Sequence, residues 1–406
     1  MKMPRSLGLS APLPRRLADG LDEGLDEGLD DGLDDGLADP VGRCARWLAL
    51  AGLAGLAACS SSPSTSPDGG GDAGTSPAPA MPITAPAGTW TFVDIAGSVC
   101  DDGTPTGIAI SPSPTAGPGG NLLIYFVGGG ACWDYLTCAL LNTSTHGPFG
   151  QAQFDALKGK LGGTVLDRTV ANNPFADYHM VVVPYCTGDL HAGDNVATYQ
   201  GNGGTRVIHH KGYANVQAFL PRVQATWPQP SKLVLTGSSA GGYGSTLNYD
   251  LFRTRFAAAK GYLIDDSGPL LVGDAVPKSL RDAWYTQWRL QSTVAGACAD
   301  CQADLSESVI ALQSKYPQDR LSLLSYTQDQ VIRAYMGGIS AAEFQTDLYQ
   351  LAVTRFDTAA NSRTFFVTGD SHVLLTSPTV TSQGTSLLTF LTQQVSDAAT
   401  WSTVRP

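Results

Sequence analysis

Six short apolar runs punctuate the chain after residue 120, at 121–127, 178–184, 232–236, 261–264, 321–326 and 363–367. Each is four to eight residues long, rich in Val, Ile, Leu and aromatics, and bounded by turn residues. Runs of that kind suit strands buried on both faces. Helical patterns lie between them. Residues 213–225 carry Val216, Phe219, Leu220 and Val223 at i, i+3, i+4, i+7. Residues 243–259 carry Leu247, Leu251, Phe252 and Phe256, and 383–398 form a last amphipathic stretch. Strand–helix alternation predicts an α/β fold, a mostly parallel sheet flanked by helices. Residues 88–406 can form one such domain. The stretch 270–319 is too long for a simple crossover. It predicts a cap or insertion, with Trp284, Tyr285 and Trp288 on a helix.

The first 87 residues read differently. Residues 20–37 repeat Gly, Leu and two acids. Glycine at every fourth position opposes a helix and the charge is of one sign, so 1–40 is expected to be disordered. Calcium binding by these carboxylates is a rival reading, weakened by the absence of the EF-hand ligand order. Arg43 and Arg46 then precede an apolar stretch at 47–58. Cations followed by a short apolar segment make a secretory signal, here 41–58, too short to span a bilayer. It ends in Leu56-Ala57-Ala58-Cys59, which resembles the lipobox of bacterial lipoproteins, in which the Cys is lipidated and becomes the first residue. The rival is an ordinary signal peptide with a chance Cys. Val41 competes with Met1 as the start. Residues 59–87, almost all Ser, Thr, Pro, Gly and Ala, read as a flexible tether.

Composition narrows the function. The chain of 406 residues carries a net charge of −11, which argues against a general nucleic-acid binder. Loss of 1–58 leaves 26 acids and 19 bases, still acidic. No apolar run reaches the ~18–20 residues of a membrane span. Setting Cys44 and Cys59 aside, six cysteines remain: Cys100, Cys132, Cys138, Cys186, Cys298 and Cys301. An even number in an exported chain suggests three disulfides, for which six cysteines allow about fifteen pairing schemes. Cys132–Cys138 and Cys298–Cys301 are close in sequence, which would leave Cys100–Cys186. The Cys298-Ala299-Asp300-Cys301 spacing also fits a redox motif or half a zinc site. No second such motif or clustered His completes a zinc site, so a structural bridge is preferred.

The chemistry centres on Gly237-Ser238-Ser239-Ala240-Gly241, which follows an apolar run and precedes a helical pattern. This is a G-x-S-x-G nucleophile elbow, with Ser239 at the exposed position and Ser238 facing elsewhere. A serine hydroxyl needs a base, and in this arrangement base and acid follow later strands in the order Ser, Asp, His. His372 follows the last run, in Thr368-Gly369-Asp370-Ser371-His372. Asp329, just past the 321–326 run, is the first candidate acid; Asp266 and Asp370 are rivals. Acyl transfer also needs amide donors for the oxyanion. Ala240, after the nucleophile, is one. The others are expected in Gly128-Gly129-Gly130, after an early strand, where no side chain obstructs a substrate. No G-K-[ST] follows, so a phosphate loop is a weak alternative. His209 and His210 read as capping or packing residues, and His146 as a loop residue. Asp189 and His191, past the 178–184 run, and Trp133 are candidate substrate-binding residues.

Several motifs in order resemble the pectin acetylesterase and Notum family of serine carboxylesterases. They are Val99-Cys100-Asp101-Asp102-Gly103, Gly128-Gly129-Gly130-Ala131-Cys132 with Cys138, and Val183-Pro184-Tyr185-Cys186. Gly237-Ser238-Ser239-Ala240-Gly241-Gly242, Asp266-Ser267-Gly268 and His372 complete them. The resemblance implies an α/β-hydrolase-like fold and removal of acyl groups from hydroxyl or related oxygens. It implies a catalytic Ser239, Asp329 and His372, with oxyanion amides at Gly129 or Gly130 and Ala240. It also implies disulfides Cys132–Cys138 and Cys100–Cys186.

The expectation is an exported, lipid-anchored ester hydrolase without metal or cofactor, acting on an O-acetylated polysaccharide or other short acyl ester. It would be a monomer, would contact no nucleic acid and would touch a membrane only through its anchor. Activity is expected to fall in acid, with a midpoint at roughly pH 6–7 for an unperturbed His. A polyester depolymerase of the polyhydroxyalkanoate type is a second reading, favoured if the 270–319 cap exposes aromatics. A non-catalytic binding protein on a hydrolase scaffold is the third.

Overall fold

A computed structural model describes residues 80–294, 296 and 298–406. The acidic repeat, the signal segment, Cys59 and the tether as far as 79 lie outside the described residues.

The chain opens with an antiparallel pair, β1 (Thr91–Val99) and β2 (Pro105–Ser111). β3 (Leu122–Phe126), helix α1 (Gln151–Lys158) and β4 (His179–Val183) follow. β5 (Asn195–Gly201) and β6 (Gly204–His210) form a separate hairpin ahead of α2 (Gly212–Thr226). Then come β7 (Lys232–Ser238), α3 (Ala240–Leu247), α4 (Tyr249–Arg255) and β8 (Lys260–Asp266). α5 (Lys278–Gln287) and α6 (Glu307–Lys315) lie between β8 and β9 (Arg320–Tyr326). α7 (Gln330–Tyr335), α8 (Ala341–Leu351) and β10 (Ser362–Val367) come next. A small hairpin, β11 (Thr381–Ser382) with β12 (Thr385–Ser386), leads into α9 (Leu387–Val395).

The main sheet has eight strands in the order β1-β2-β4-β3-β7-β8-β9-β10. From β4 to β10 all neighbours are parallel. Each of the six expected runs is one of these parallel strands. The reason is visible in β3, whose five residues are all buried. Leu123 and Tyr125 share a core with Phe154 of α1 and Phe390 of α9. Leu122, Ile124 and Phe126 share the opposite core with Val216, Phe219 and Leu220 of α2. A strand covered on both faces needs apolar residues at every position. Each such α2 side chain contributes roughly 1.5–3 kcal/mol on burial.

Two boundaries differ from expectation. Ile83, assigned to the tether, is buried, and its N–H donates to Thr226 Oγ1 at 2.8 Å. The helix expected over 243–259 breaks at Asn248, whose amide reaches the carbonyls of His191 (3.0 Å) and Gly244 (2.9 Å). A third core joins the cap to the sheet through Leu280, Trp284, Trp288, Tyr243 and Phe366. Trp284 and Tyr285 lie on α5 and Trp288 caps it; all three are buried. The cap therefore exposes none of these aromatics. Three disulfides close Cys100–Cys186, Cys132–Cys138 and Cys298–Cys301.

Candidate functional site

The registers align the carboxyl ends of the parallel strands: Phe126 pairs with Gly237, Ser238 with Asp266, and Val367 with Tyr326. In open α/β sheets ligands bind at that edge. Ser239 stands there between β7 and α3, with φ 59° and ψ −123°. A non-glycine residue so placed stores about 1–3 kcal/mol. Its neighbours must be small. A Cβ on Gly241 would meet Phe126 O at 1.9 Å, and one on Gly128 would meet Ser238 O at 2.5 Å. The elbow is held by Ser239 N–H, which donates to Asp266 O at 2.8 Å.

Gly130 and Ala240 line the cleft with Ser239, and Gly129 precedes Gly130 in the same loop. Among the described residues, the N–H groups of Gly129, Gly130 and Ala240 have no hydrogen-bond acceptor. The glycine loop that carries two of them is fixed from several sides. His191 Nε2 donates to Val127 O at 2.9 Å, and Tyr185 OH to Gly130 O at 2.8 Å. Thr145 N–H donates to Gly129 O at 2.7 Å. Tyr335 OH donates to Thr143 O and accepts Ala131 N–H at 3.3 Å. Gly129 (φ 151°) and Gly130 (φ 72°) occupy backbone conformations that favour glycine.

His372 lies in the loop after β10, and its Nδ1 bonds Asp329 Oδ2 at 2.7 Å. Asp329 is fully buried, and its other oxygen caps α7 by accepting Val331 N–H and Ile332 N–H, both at 3.0 Å. Burial alone would lower the His372 pKa; the Asp329 charge and hydrogen bond outweigh it, with Asp266 adding to them, and the net shift is upward. Neither Ser239 Oγ nor His372 Nε2 has a hydrogen-bond partner among the described residues. Apo geometry of this kind commonly tightens when substrate binds.

The two rival acids do other work. Asp266 accepts Leu374 N–H at 2.9 and 3.0 Å, Leu375 N–H at 2.9 Å and Ser238 Oγ–H at 2.7 Å. Its burial raises its pKa. Ser238 therefore does face away from the cleft, and it also accepts Tyr125 OH at 2.9 Å. Asp370 is exposed, and its backbone carbonyl accepts Gln330 N–H at 2.9 Å.

A narrow cleft opens over Ser239 and Ala240. Gly130, Leu190, Tyr243, Ile332 and Tyr335 are among its walls. The candidate substrate residues fall outside that wall. Asp189 is buried and spent on a turn, accepting Thr187 Oγ1–H at 2.6 Å, Gly212 N–H at 2.7 Å and Gly193 N–H at 3.1 Å. Burial pushes its carboxyl up to about 6. His191 is buried beneath the glycine loop, against Phe126 and Tyr185, and burial brings its pKa down to about 4. Leu190 and His191 both have left-handed backbones (φ 55° and 58°), and of the two only Leu190 reaches the cleft. Trp133 packs behind the wall, its ring 6.4 Å from both Trp284 and Tyr335. Ile332, Tyr335 and Met336 were not anticipated. Their i, i+3, i+4 spacing just past Asp329 marks one helix face, and that signal could have found them.

Cys132, Cys138 and His210 come close enough together to suggest a metal site. The two sulfurs are joined in a disulfide. His210 is committed through Nδ1 to Thr187 O at 2.9 Å and through Nε2 to Tyr199 OH at 2.8 Å. This trio offers no free thiolate and does not fit a metal.

Comparison with known proteins adds three findings. The pectinacetylesterase family model matches residues 85–326. That range holds Ser239 and the glycine loop; Asp329 and His372 lie beyond it. The palmitoleoyl-protein carboxylesterase NOTUM of Schmidtea mediterranea is 30% identical over 158 residues, 38% of this chain. The match spans 28% of that relative's length. The structure of the Wnt deacylase Notum from Drosophila aligns with a TM-score of 0.52 at 16% identity, covering 77% of this chain and 94% of that one. The shared fold is that of the α/β hydrolases.

Proposed function

The chain belongs to the pectinacetylesterase family, an esterase family, and from that premise we propose that Ser239, His372 and Asp329 act as a catalytic triad. The observation that carries the reading is the polarity of His372. Its Nδ1 is committed to buried Asp329, which leaves Nε2 for a hydroxyl. We assign that hydroxyl to Ser239, which lines the cleft.

The steps follow from these groups. Ser239 Oγ attacks the ester carbonyl carbon while His372 Nε2 takes its proton. The carbonyl oxygen becomes an oxyanion and accepts hydrogen bonds from Ala240 N–H and from Gly129 or Gly130 N–H. Collapse breaks the bond to the alcohol, which leaves with the proton from His372. Water then attacks the acyl-serine ester, giving its proton to Nε2, and releases the acid and Ser239. Asp329 holds the imidazole and stabilises its charged form.

The substrate we propose is an O-acetyl or short acyl ester, of a polysaccharide in the first instance. The apolar walls of the cleft favour a small acyl group over a sugar on that side. The buried state of Trp284, Tyr285 and Trp288 removes the feature that would have favoured a polyester surface. Three disulfides, in a family of exported proteins, mark a chain that matures outside the reducing cytosol. We propose further that Cys59 carries a lipid anchor, which the mass of the mature N-terminal peptide would test. The protein is proposed to act as a monomer without cofactor.

The test is hydrolysis of p-nitrophenyl acetate and of acetylated polysaccharide by the wild type and Ser239→Ala. Turnover lost in the variant supports the reading. A folded wild type with no turnover on any ester, retaining glycan binding, would replace it with a binding protein.

A further inference from the structure

A second cavity, a small one of ≈20 Å³, lies beside the cleft that holds Ser239. Leu270, Leu271, Val276 and Leu305 supply its apolar wall, and Arg281 and Asp304 its polar part. Tyr243, Trp284 and Met336 line both spaces, so these three side chains form the partition. They are 4%, 4% and 2% exposed.

The three are not held alike. Tyr243 OH donates to Pro269 O at 3.0 Å, which ties it to the backbone past β8. Trp284 stacks on Trp288 with centroids 5.2 Å apart and planes at 15°. It meets Tyr243 edge-on at 6.4 Å. Its indole N–H is buried and has no partner among the described residues. Among the described residues, packing alone holds the indole. Met336 is unbranched and adaptable.

We infer that Trp284, with Met336, sets the acyl length this enzyme accepts. The inference rests on the reading that Ser239 forms an acyl-enzyme. A two- to four-carbon acyl group stays in the first chamber. A longer chain needs room beyond that wall, where Trp284 and Met336 stand between the cleft and the small second cavity. Removing the indole costs no hydrogen bond among the described residues and joins two existing cavities. Phenylalanine at this position would keep the partition while deleting the N–H.

The test is kcat/KM of the full chain on p-nitrophenyl acetate, butyrate, octanoate and decanoate, with Trp284→Ala, Met336→Ala and Trp284→Phe. The wild type is expected to fall at least tenfold from butyrate to octanoate. Each methylene that gains cover is worth about fourfold. The octanoate-to-acetate ratio is therefore expected to rise at least tenfold in the alanine variants. In Trp284→Phe it is expected to stay within threefold of wild type. If Trp284→Ala does not fold, Met336→Ala decides. An unchanged ratio in the folded alanine variants, with acetate turned over normally by the wild type, overturns the partition and leaves the esterase reading standing. A wild type that already favours octanoate overturns it too. A wild type inactive on every ester overturns both.

Discussion

The carboxylate of Asp266 receives the backbone N–H of Leu374 through both oxygens, at 2.9 and 3.0 Å. The carbonyl of the same residue accepts Ser239 N–H at 2.8 Å. One residue at the end of β8 thus fixes both the nucleophile and the loop of His372, without bonding either reacting atom. Asp266→Asn keeps the shape but turns one acceptor into a donor facing N–H groups. We predict that kcat falls at least tenfold while KM changes less than threefold. Asp266→Ala leaves two buried N–H groups unpaired, a loss of about 2–5 kcal/mol in urea unfolding. An Asp266→Asn enzyme with wild-type kcat would show that the carboxylate only fills space.

The pH dependence follows from His372. Its pKa is raised above the ordinary 6.5, and the base form is the active one. The acid limb of kcat/KM is therefore predicted above that of an unperturbed histidine, higher than the sequence alone suggests. Asp329→Asn removes the main raising influence. Its limb is predicted to move down, and kcat to fall by roughly 10²–10⁴. The ion pair's contribution to stability is fully present below about pH 6.5 and is lost as pH rises through the folded value. A limb that stays put in Asp329→Asn would remove Asp329 from the triad.

Gly130 tests the amide loop. Its φ is 72°, and a Cβ would meet Thr143 O at 2.1 Å and Tyr335 OH at 2.4 Å. Gly130→Ala is predicted to lower kcat by about 10²–10³, the usual loss when an oxyanion donor is misaligned. Thermal unfolding alongside kinetics checks this. A variant with full activity would exclude this loop from the oxyanion site.

The Cys100–Cys186 bridge joins positions 86 residues apart. Replacing both with Ser is predicted to cost about 2–5 kcal/mol by denaturant unfolding. The short Cys298–Cys301 bridge closes a separation of 3 and is predicted to cost less.

What the sequence showed follows burial. β3, β4 and β7 to β10 were legible because both faces are covered and each carries a run of apolar residues. β1 and β2 were missed because they form an antiparallel edge whose residues mix Gly, Pro, Asp and Thr with apolar ones. The β5–β6 hairpin was missed because most of its residues are exposed. The elbow was legible because its small residues are a steric requirement. Asp189 and His191 misled because the strand-end rule locates a rim but not the facing of a side chain. Their neighbour Leu190 is the one that turns to the cleft. Chain order makes Asp329 the first candidate partner of His372, and only the fold sets its rivals aside, because Asp266 is occupied by Leu374 and Leu375 and Asp370 is exposed.

The central claim is that Ser239 is a nucleophile activated by His372. Its most direct test is labelling with a fluorophosphonate, followed by peptide mass analysis. The account predicts one adduct, on Ser239, lost in Ser239→Ala and slowed at least a hundredfold in His372→Ala. An adduct on another residue, or none on the folded protein, would contradict it.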